Sequence, residues 1–128
     1  MSWIDITPPI TESLGVFPGD TAFHRKIALD FTRGHNLLLS SITSTLHLGA
    51  HADSSSHYHK DGLGIEKRPV DTYIGKAQVI QVSAKGGRIK PDEFSSIKIE
   101  AKRVLFRTES FPDPKNWNSD FRSFAPES

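Results

Sequence analysis

The histidine-rich segment at residues 47–59 constrains the fold more than any other part of the sequence. Four of the six histidines lie in it, and residues 47–57 read H-L-G-A-H-A-D-S-S-S-H. In an extended chain, side chains alternate between two faces. His47, His51 and Asp53 would then share one face with Gly49 between them, while the apolar residues 48, 50 and 52 would face a core. A branched side chain at Gly49 would fill the space between the two histidines.

Two imidazoles and a carboxylate on one face are typical metal ligands. The chain contains no cysteine, so a transition metal would be held by His, Asp or Glu. This set of donors suits Zn²⁺ or Mn²⁺ and leaves positions for water, as catalytic sites do. A solvated histidine loop without a metal is the alternative that spacing alone leaves open. His24, His35 and His59 are not expected to take part in the metal site.

The charge balance argues against several functional classes. Sixteen basic and 15 acidic side chains are interspersed and give a net charge of +1. Nucleic-acid binding and electrostatic membrane binding both need clustered basic residues. The N-terminus lacks the basic and apolar segments of a secretory signal, and no stretch is long and apolar enough to span a bilayer. We therefore expect one domain over residues 1–128, in a cytoplasmic enzyme or binding protein.

Short β-branched and apolar segments separated by proline and glycine predict a β-rich chain. One helix is expected within Ile89–Glu100, beginning near Pro91, and Phe111–Ser128 is expected to be a loop. This order of elements predicts an α/β or α+β fold. The predicted strands are Ala22–Phe31, Asn36–Leu46, Ala77–Ser83 and Arg103–Arg107.

Residues 47–57 resemble the H-x-G-T-H-x-D-x-P-x-H signature of the kynurenine formamidase and cyclase superfamily. Ala50 stands in place of the threonine and Ser55 in place of the proline. The resemblance extends nearly from end to end of the chain. It includes the segments Trp3-Ile4-Asp5-Ile6, Val16-Phe17-Pro18-Gly19-Asp20-Thr21 and Val70-Asp71-Thr72-Tyr73-Ile74-Gly75.

The resemblance implies a β-rich α/β fold of the swivelling β/α/β type that forms homodimers or larger oligomers. It implies two zinc ions, the first bound by His47, His51 and Asp53, with Asp53 bridging to the second. His57 would be the catalytic acid and base. Phe17 occupies a position where relatives often place a substrate-stacking tryptophan.

In the superfamily, a further histidine and a glutamate from the C-terminal part complete the two-metal site. No histidine follows His59, so we expect this chain to be the N-terminal portion of an incomplete fold. The implied reaction is hydrolysis of N-formyl-L-kynurenine to L-kynurenine and formate, a step of tryptophan catabolism. The alternatives are another amide or lactone hydrolase or cyclase, such as an isatin-type enzyme, and a non-catalytic metal-binding fragment.

Overall fold

The computed structural model describes residues 4–84 and 87–128, so Trp3 of the N-terminal similarity lies outside the described residues. Within these residues, four short strands form two separate two-stranded sheets. The strands are β1 (His24–Leu29), β2 (Leu39–Thr43), β3 (Ala77–Gln81) and β4 (Arg103–Arg107). Single 3₁₀ turns occupy Phe31–Arg33, Ser55–His57, Ile65–Lys67, Val70–Thr72 and Pro91–Glu93.

The chain divides into two compact units. The first comprises Met1–Ala52 and Asp113–Trp117, and the second comprises Asp53–Pro112 and Asn118–Ser128. The expectation of a single domain over residues 1–128 stays a prediction. Across residues 4–84 and 87–128, no helix has the length and apolar character that a membrane crossing needs.

In the first unit, β1 and β2 pair antiparallel, with His24 opposite Thr43 and a register shift between Ile27 and Leu29. The turn between them is capped at both ends. Asp30 accepts a hydrogen bond from the Thr32 amide, and Gly34 adopts a left-handed conformation with φ 80°, which glycine does without steric cost. The strands predicted at Ala22–Phe31 and Asn36–Leu46 are therefore confirmed, in shortened form.

Gly15 lets a distant segment join this first unit. Its amide donates to the Pro114 carbonyl at 2.9 Å. A Cβ at position 15 would lie 2.9 Å from the Lys115 carbonyl oxygen, closer than real Cβ contacts allow. Glycine is therefore required where residues 113–117 pass the N-terminal segment.

In the second unit, β3 and β4 pair in parallel, with Ala77 opposite Arg103 and Ile80 opposite Phe106. Ile80, Val82 and Ile89 form the buried cluster at the centre of this unit. It is extended by the partly buried Phe94, Val104 and Phe106. The predicted strand Arg103–Arg107 is confirmed, and the strand predicted at Ala77–Ser83 is confirmed over the shorter range Ala77–Gln81. Both carry β-branched and aromatic residues, which pack well in a sheet.

The predicted helix within Ile89–Glu100 is wrong. Only the turn Pro91–Glu93 is helical there, and Ile89 instead forms a parallel bridge with Phe124. The Ile89 amide donates to the Ser123 carbonyl, and the Ala125 amide donates to the Ile89 carbonyl. Pairing with residues 35 positions away therefore competes successfully with a weak local helix signal, since the Ser-Ser-Ile-Lys-Ile stretch at 95–99 has low helix propensity.

Arg122 fastens the C-terminal segment to this turn. Its side chain is only 3% exposed and forms a two-pronged ion pair with Glu93, at 2.7 and 2.8 Å. Its remaining donors reach the carbonyls of Ser83, Gly87 and Arg88. Because all three guanidinium nitrogens donate hydrogen bonds, the buried charge of Arg122 avoids the free-energy cost of an unpaired ion.

Candidate metal centre

The 47–53 segment is not the extended strand that the alternating pattern predicts. β2 ends at Thr43, and the chain bends irregularly from there through the histidine cluster. Gly49 adopts a left-handed φ of 58°. A Cβ on it would meet the Leu14 side chain at 3.4 Å and Pro8 at 3.8 Å. The expectation that Gly49 leaves space between the histidines is thus wrong, and the requirement for glycine comes from its backbone conformation.

The bend still brings the three predicted ligands together. His47, His51 and Asp53 each offer one ligand atom, and these atoms lie within 4.8 Å of one another. His47 is half-buried, whereas His51 and Asp53 are exposed. All three belong to one continuous stretch of seven residues, so the local path of the chain determines their proximity.

The hydrogen bonds of His51 indicate which ring nitrogen carries the proton in its neutral form. Its Nδ1 lies 3.0 Å from the Gly49 carbonyl oxygen, which can only accept a hydrogen bond, so Nδ1 must carry the proton. The neutral ring then has its lone pair on Nε2, which lies 3.3 Å from His47 Nδ1. Histidine ligands of metals are commonly oriented by a carbonyl on the other ring nitrogen in this way.

The separation of the two imidazole nitrogens is compatible with a shared zinc ion. Zinc binds imidazole nitrogen at about 2.0–2.1 Å, so two nitrogens on one tetrahedral zinc lie about 3.3–3.4 Å apart. The separation of 3.3 Å between His47 Nδ1 and His51 Nε2 agrees with this value. The Asp53 carboxylate adds an oxygen donor and a negative charge, and such a set of ligands also accommodates manganese.

A hydrogen-bonded connection to the first ligand was not foreseen from the sequence. The Thr45 hydroxyl donates to Asp20 Oδ2 at 2.6 Å and accepts the backbone amide of His47 at 3.1 Å. The hydrogen bonds from the Thr45 hydroxyl and the Thr21 amide lower the pKa of Asp20 from its usual value. Asp20 lies in the segment Val16-Phe17-Pro18-Gly19-Asp20-Thr21 that resembles the family, but only the fold reveals that Asp20 meets Thr45.

His57, the predicted acid and base, is not a member of the group of three ligands. It is exposed and ends the 3₁₀ turn Ser55–His57, which the Ser54 side chain caps by accepting from the Ser56 amide. Its ring contacts Tyr58 with centroids 4.3 Å apart. Ser55, which replaces the motif proline, accepts hydrogen bonds from the Leu63 amide and the Arg68 guanidinium. These hydrogen bonds therefore restrain the 3₁₀ turn, whereas a proline at position 55 would restrain it by fixing φ.

Phe17, the predicted substrate contact, is 57% exposed. Its ring meets the edge of Trp117 with centroids 5.3 Å apart. Sequence reasoning treated Phe111–Ser128 as a loop and missed this partner. The only signal available was that Trp117 is one of two tryptophans in the chain. Together the two rings present an aromatic surface in the first unit.

The other three histidines have partners of their own. His24 lies 2.8 Å from Glu12, and His35 Nδ1 lies close to the Asp30 backbone. His59 Nδ1 accepts from the Asp61 amide at 3.2 Å. None of the three belongs to a group of metal-ligand type within the ranges 4–84 and 87–128.

Comparison with known proteins places these features in a family. A model of the Cyclase family matches residues 4–126. A kynurenine formamidase of Delftia acidovorans is 32% identical over 123 residues, which cover 95% of this chain and 58% of the relative. The chain therefore spans less than two thirds of the length of this curated relative.

Two solved structures share the fold. One is described as a potential metal-dependent hydrolase with cyclase activity; it superposes with a TM-score of 0.76 at 23% identity, over 97% of this chain and 58% of its own. The other, a predicted metal-dependent hydrolase from Bacillus stearothermophilus, gives a TM-score of 0.74 at 22% identity, over 97% of this chain and 60% of its own. The small mixed sheets seen here are thus those of the cyclase fold.

Proposed function

This chain belongs to the Cyclase family, and from that premise we propose that it is the metal-binding part of an amide hydrolase that cleaves N-formyl-L-kynurenine. The observation that carries the proposal is the grouping of His47, His51 and Asp53, whose ligand atoms lie within 4.8 Å of one another. The relative named kynurenine formamidase supports the choice of substrate. The metal-dependent hydrolases with the same fold support the reaction class.

His47, His51 and Asp53 would hold the first of the two zinc ions that the family resemblance implies. Zinc in such a site polarises a carbonyl and lowers the pKa of bound water. The hydrogen bond to the Gly49 carbonyl fixes the His51 ring, and the Nε2 lone pair would then be available to the metal. Zinc is the first candidate, and manganese is the alternative that the same donors accept.

His57 is proposed to carry the proton that the reaction must deliver. Cleavage of a formamide C–N bond leaves an amine nitrogen that needs a proton, and histidine is the side chain whose ordinary pKa lies nearest neutrality. His57 is exposed and sits on a turn held by Ser54 and Ser55. An exposed imidazole on a fixed turn can exchange protons with solvent between turnovers.

Phe17 is proposed to bind the aromatic ring of the substrate. Aromatic rings pair by edge-to-face or offset contacts worth about 0.5–1.5 kcal/mol beyond their burial. The exposed Phe17 ring, supported by Trp117, offers such a contact. This role requires a substrate with an aryl group, which N-formyl-L-kynurenine has. The same resemblance leads us to expect a homodimer or larger oligomer.

The test is hydrolysis of N-formyl-L-kynurenine by the 128-residue chain, after the metal is stripped and zinc restored. We expect release of formate that depends on zinc, that is abolished in His51→Ala, and that falls by a factor of about 10²–10⁴ in His57→Ala. Phe17→Ala should raise KM more than it lowers kcat, because it removes a binding contact.

Two outcomes would contradict the proposal in different ways. Cleavage of isatin without cleavage of formylkynurenine would assign the chain to the isatin-type hydrolases instead. Binding of zinc without hydrolysis of either compound would show a non-catalytic metal-binding chain.

A further inference from the structure

Asp20, Thr45 and His47 form a continuous hydrogen-bonded chain in the first unit. The Thr45 hydroxyl lies 2.6 Å from Asp20 Oδ2, within the range of about 2.5–2.7 Å that is typical of a hydroxyl donating to an ionised carboxylate. The same oxygen lies 3.1 Å from the His47 backbone nitrogen. Thr45 is half-buried, two residues beyond the end of β2.

Two further hydrogen bonds, which pass through Thr21, link Thr45 to Asp20 a second time. The Thr45 amide donates to the Thr21 carbonyl at 2.9 Å, and the Thr21 amide donates to Asp20 Oδ1 at 2.7 Å. Asp20 itself ends a turn, since its amide donates to the Phe17 carbonyl at 2.9 Å. The carboxylate of Asp20 is thus tied at both oxygens, and Thr45 is tied at both its backbone and its side chain.

We propose that Asp20 and Thr45 are positioning residues for the metal site, through the backbone of His47. A threonine hydroxyl has one proton and two lone pairs. Because Asp20 takes the proton, a lone pair is directed toward the His47 amide. Without Asp20 the hydroxyl could rotate and donate elsewhere, and the His47 amide would lose a fixed acceptor.

The position of the His47 backbone matters because the site tolerates little displacement. His47 Nδ1 lies 3.3 Å from His51 Nε2, and a shift of a fraction of an ångström would take this pair away from the spacing that one metal requires. Groups that orient metal ligands typically contribute a factor of about 10–100 in metal affinity. The inference rests on the proposed function, since positioning has this effect only if His47 binds a metal.

The test compares Thr45→Val, Thr45→Ser and Asp20→Asn with the wild-type chain. Zinc dissociation constants come from competition with a chromophoric chelator, and cobalt absorption reports the ligand geometry. Amide hydrogen exchange at His47, measured without metal, reports the hydrogen bond from the His47 amide to the Thr45 hydroxyl. We expect Thr45→Val to weaken zinc binding by about 10–100-fold, alter the cobalt spectrum and speed exchange at His47. Thr45→Ser keeps the hydroxyl and should match the wild type in zinc affinity, cobalt spectrum and His47 exchange. Asp20→Asn keeps an acceptor without the charge, and its three values should lie between those of the wild type and Thr45→Val.

Thr32→Val is the matched control. The Thr32 hydroxyl donates to Asp30 Oδ1 at 2.9 Å in the same unit, so its loss has a similar structural cost without involving His47. It should leave zinc affinity and His47 exchange unchanged. If Thr45→Val binds zinc as tightly as the wild type, the positioning role is overturned while the metal site stands. If the wild type itself binds no zinc, the proposed function fails, and the positioning role fails with it.

Discussion

Gly49 lies between two residues whose ring nitrogens meet, and its backbone has a left-handed φ of 58°. That conformation costs an ordinary residue about 1–2 kcal/mol. The Gly49 carbonyl also accepts the hydrogen bond that fixes the His51 ring. A residue with no side chain of its own therefore determines how His47 and His51, the proposed ligands, are oriented.

Gly49→Ala is predicted to weaken zinc binding by about tenfold, because the strain of about 1–2 kcal/mol opposes the bend that joins His47 to His51. Gly49→Val should bind zinc still more weakly, since a β-branched side chain is poorly tolerated at positive φ. Isothermal titration with zinc measures the effect.

The control for this prediction is Gly34→Ala. Gly34 has a similar φ of 80° with no atom near its absent Cβ, and it lies in the β1–β2 turn. Its substitution should reduce stability comparably and leave zinc affinity unchanged. Equal zinc affinity in Gly49→Val and the wild type would refute the role assigned to this glycine.

The grouping of His47, His51 and Asp53 could be predicted because it is local. His47, His51 and Asp53 lie within seven residues, so any compact path of that stretch brings them close. The sequence pattern suggested an extended path, however, because a period of two in polarity does not distinguish a strand from an irregular bend. Asp20 and Trp117 were not predictable, because their partners Thr45 and Phe17 are 25 and 100 residues away along the chain.

Among the elements, the 3₁₀ turn Pro91–Glu93 depends on a residue far along the chain. Glu93 pairs with the buried Arg122 and also accepts the Lys90 amide at 3.0 Å. The hydrogen bonds from Arg122, followed by that from the Lys90 amide, lower the pKa of Glu93 to about 2. This ion pair joins the turn to the segment that carries Phe124 and Ala125.

The pH dependence of unfolding tests this ion pair. Since the pKa of Glu93 is lowered on folding from 4.5 to about 2, the unfolded chain binds the proton first as the pH falls. The stabilisation is therefore complete above pH 4.5 and is lost progressively as the pH falls through about 2. Thermal unfolding midpoints of the wild type should decline in this range, and Glu93→Gln should show a shallower decline.

Glu100→Gln is the control for this experiment. Glu100 pairs with Lys98 at 3.3 Å, but both side chains are largely exposed, and exposed pairs contribute little. The thermal unfolding midpoint of Glu100→Gln should therefore vary with pH as that of the wild type does. A profile of Glu93→Gln that also follows the wild type would contradict the assigned role of the Glu93–Arg122 pair.

The strands could be predicted from sequence and the helix could not, for a physical reason. β3 and β4 carry β-branched and aromatic residues whose preference for a sheet agrees with their burial. In the 89–100 stretch, proline and acidic residues at the start resemble a helix N-terminus. The bridge between Ile89 and Phe124 and the Arg122 ion pair then outweigh that local preference, and no local pattern reports them.

At the scale of the whole molecule, the parallel sheet of the second unit has one covered face and one open face. Ile80 is buried and pairs with Phe106. The neighbouring pair, Val79 and Leu105, is 62% and 46% exposed. Parallel sheets are normally covered on both faces. The relatives that share this fold are longer, since the chain spans 58–60% of the two solved structures.

The central claim is that His47, His51 and Asp53 form one metal site in a chain of the Cyclase family. Zinc binding by the metal-stripped chain tests it most directly, with His47→Ala, His51→Ala and Asp53→Ala measured beside His24→Ala, a control histidine that pairs with Glu12. We predict that the wild type and His24→Ala bind zinc alike, and that each of the other three variants loses at least about tenfold in affinity. Unchanged zinc content in His51→Ala would contradict the claim and show that the histidine cluster is a solvated loop.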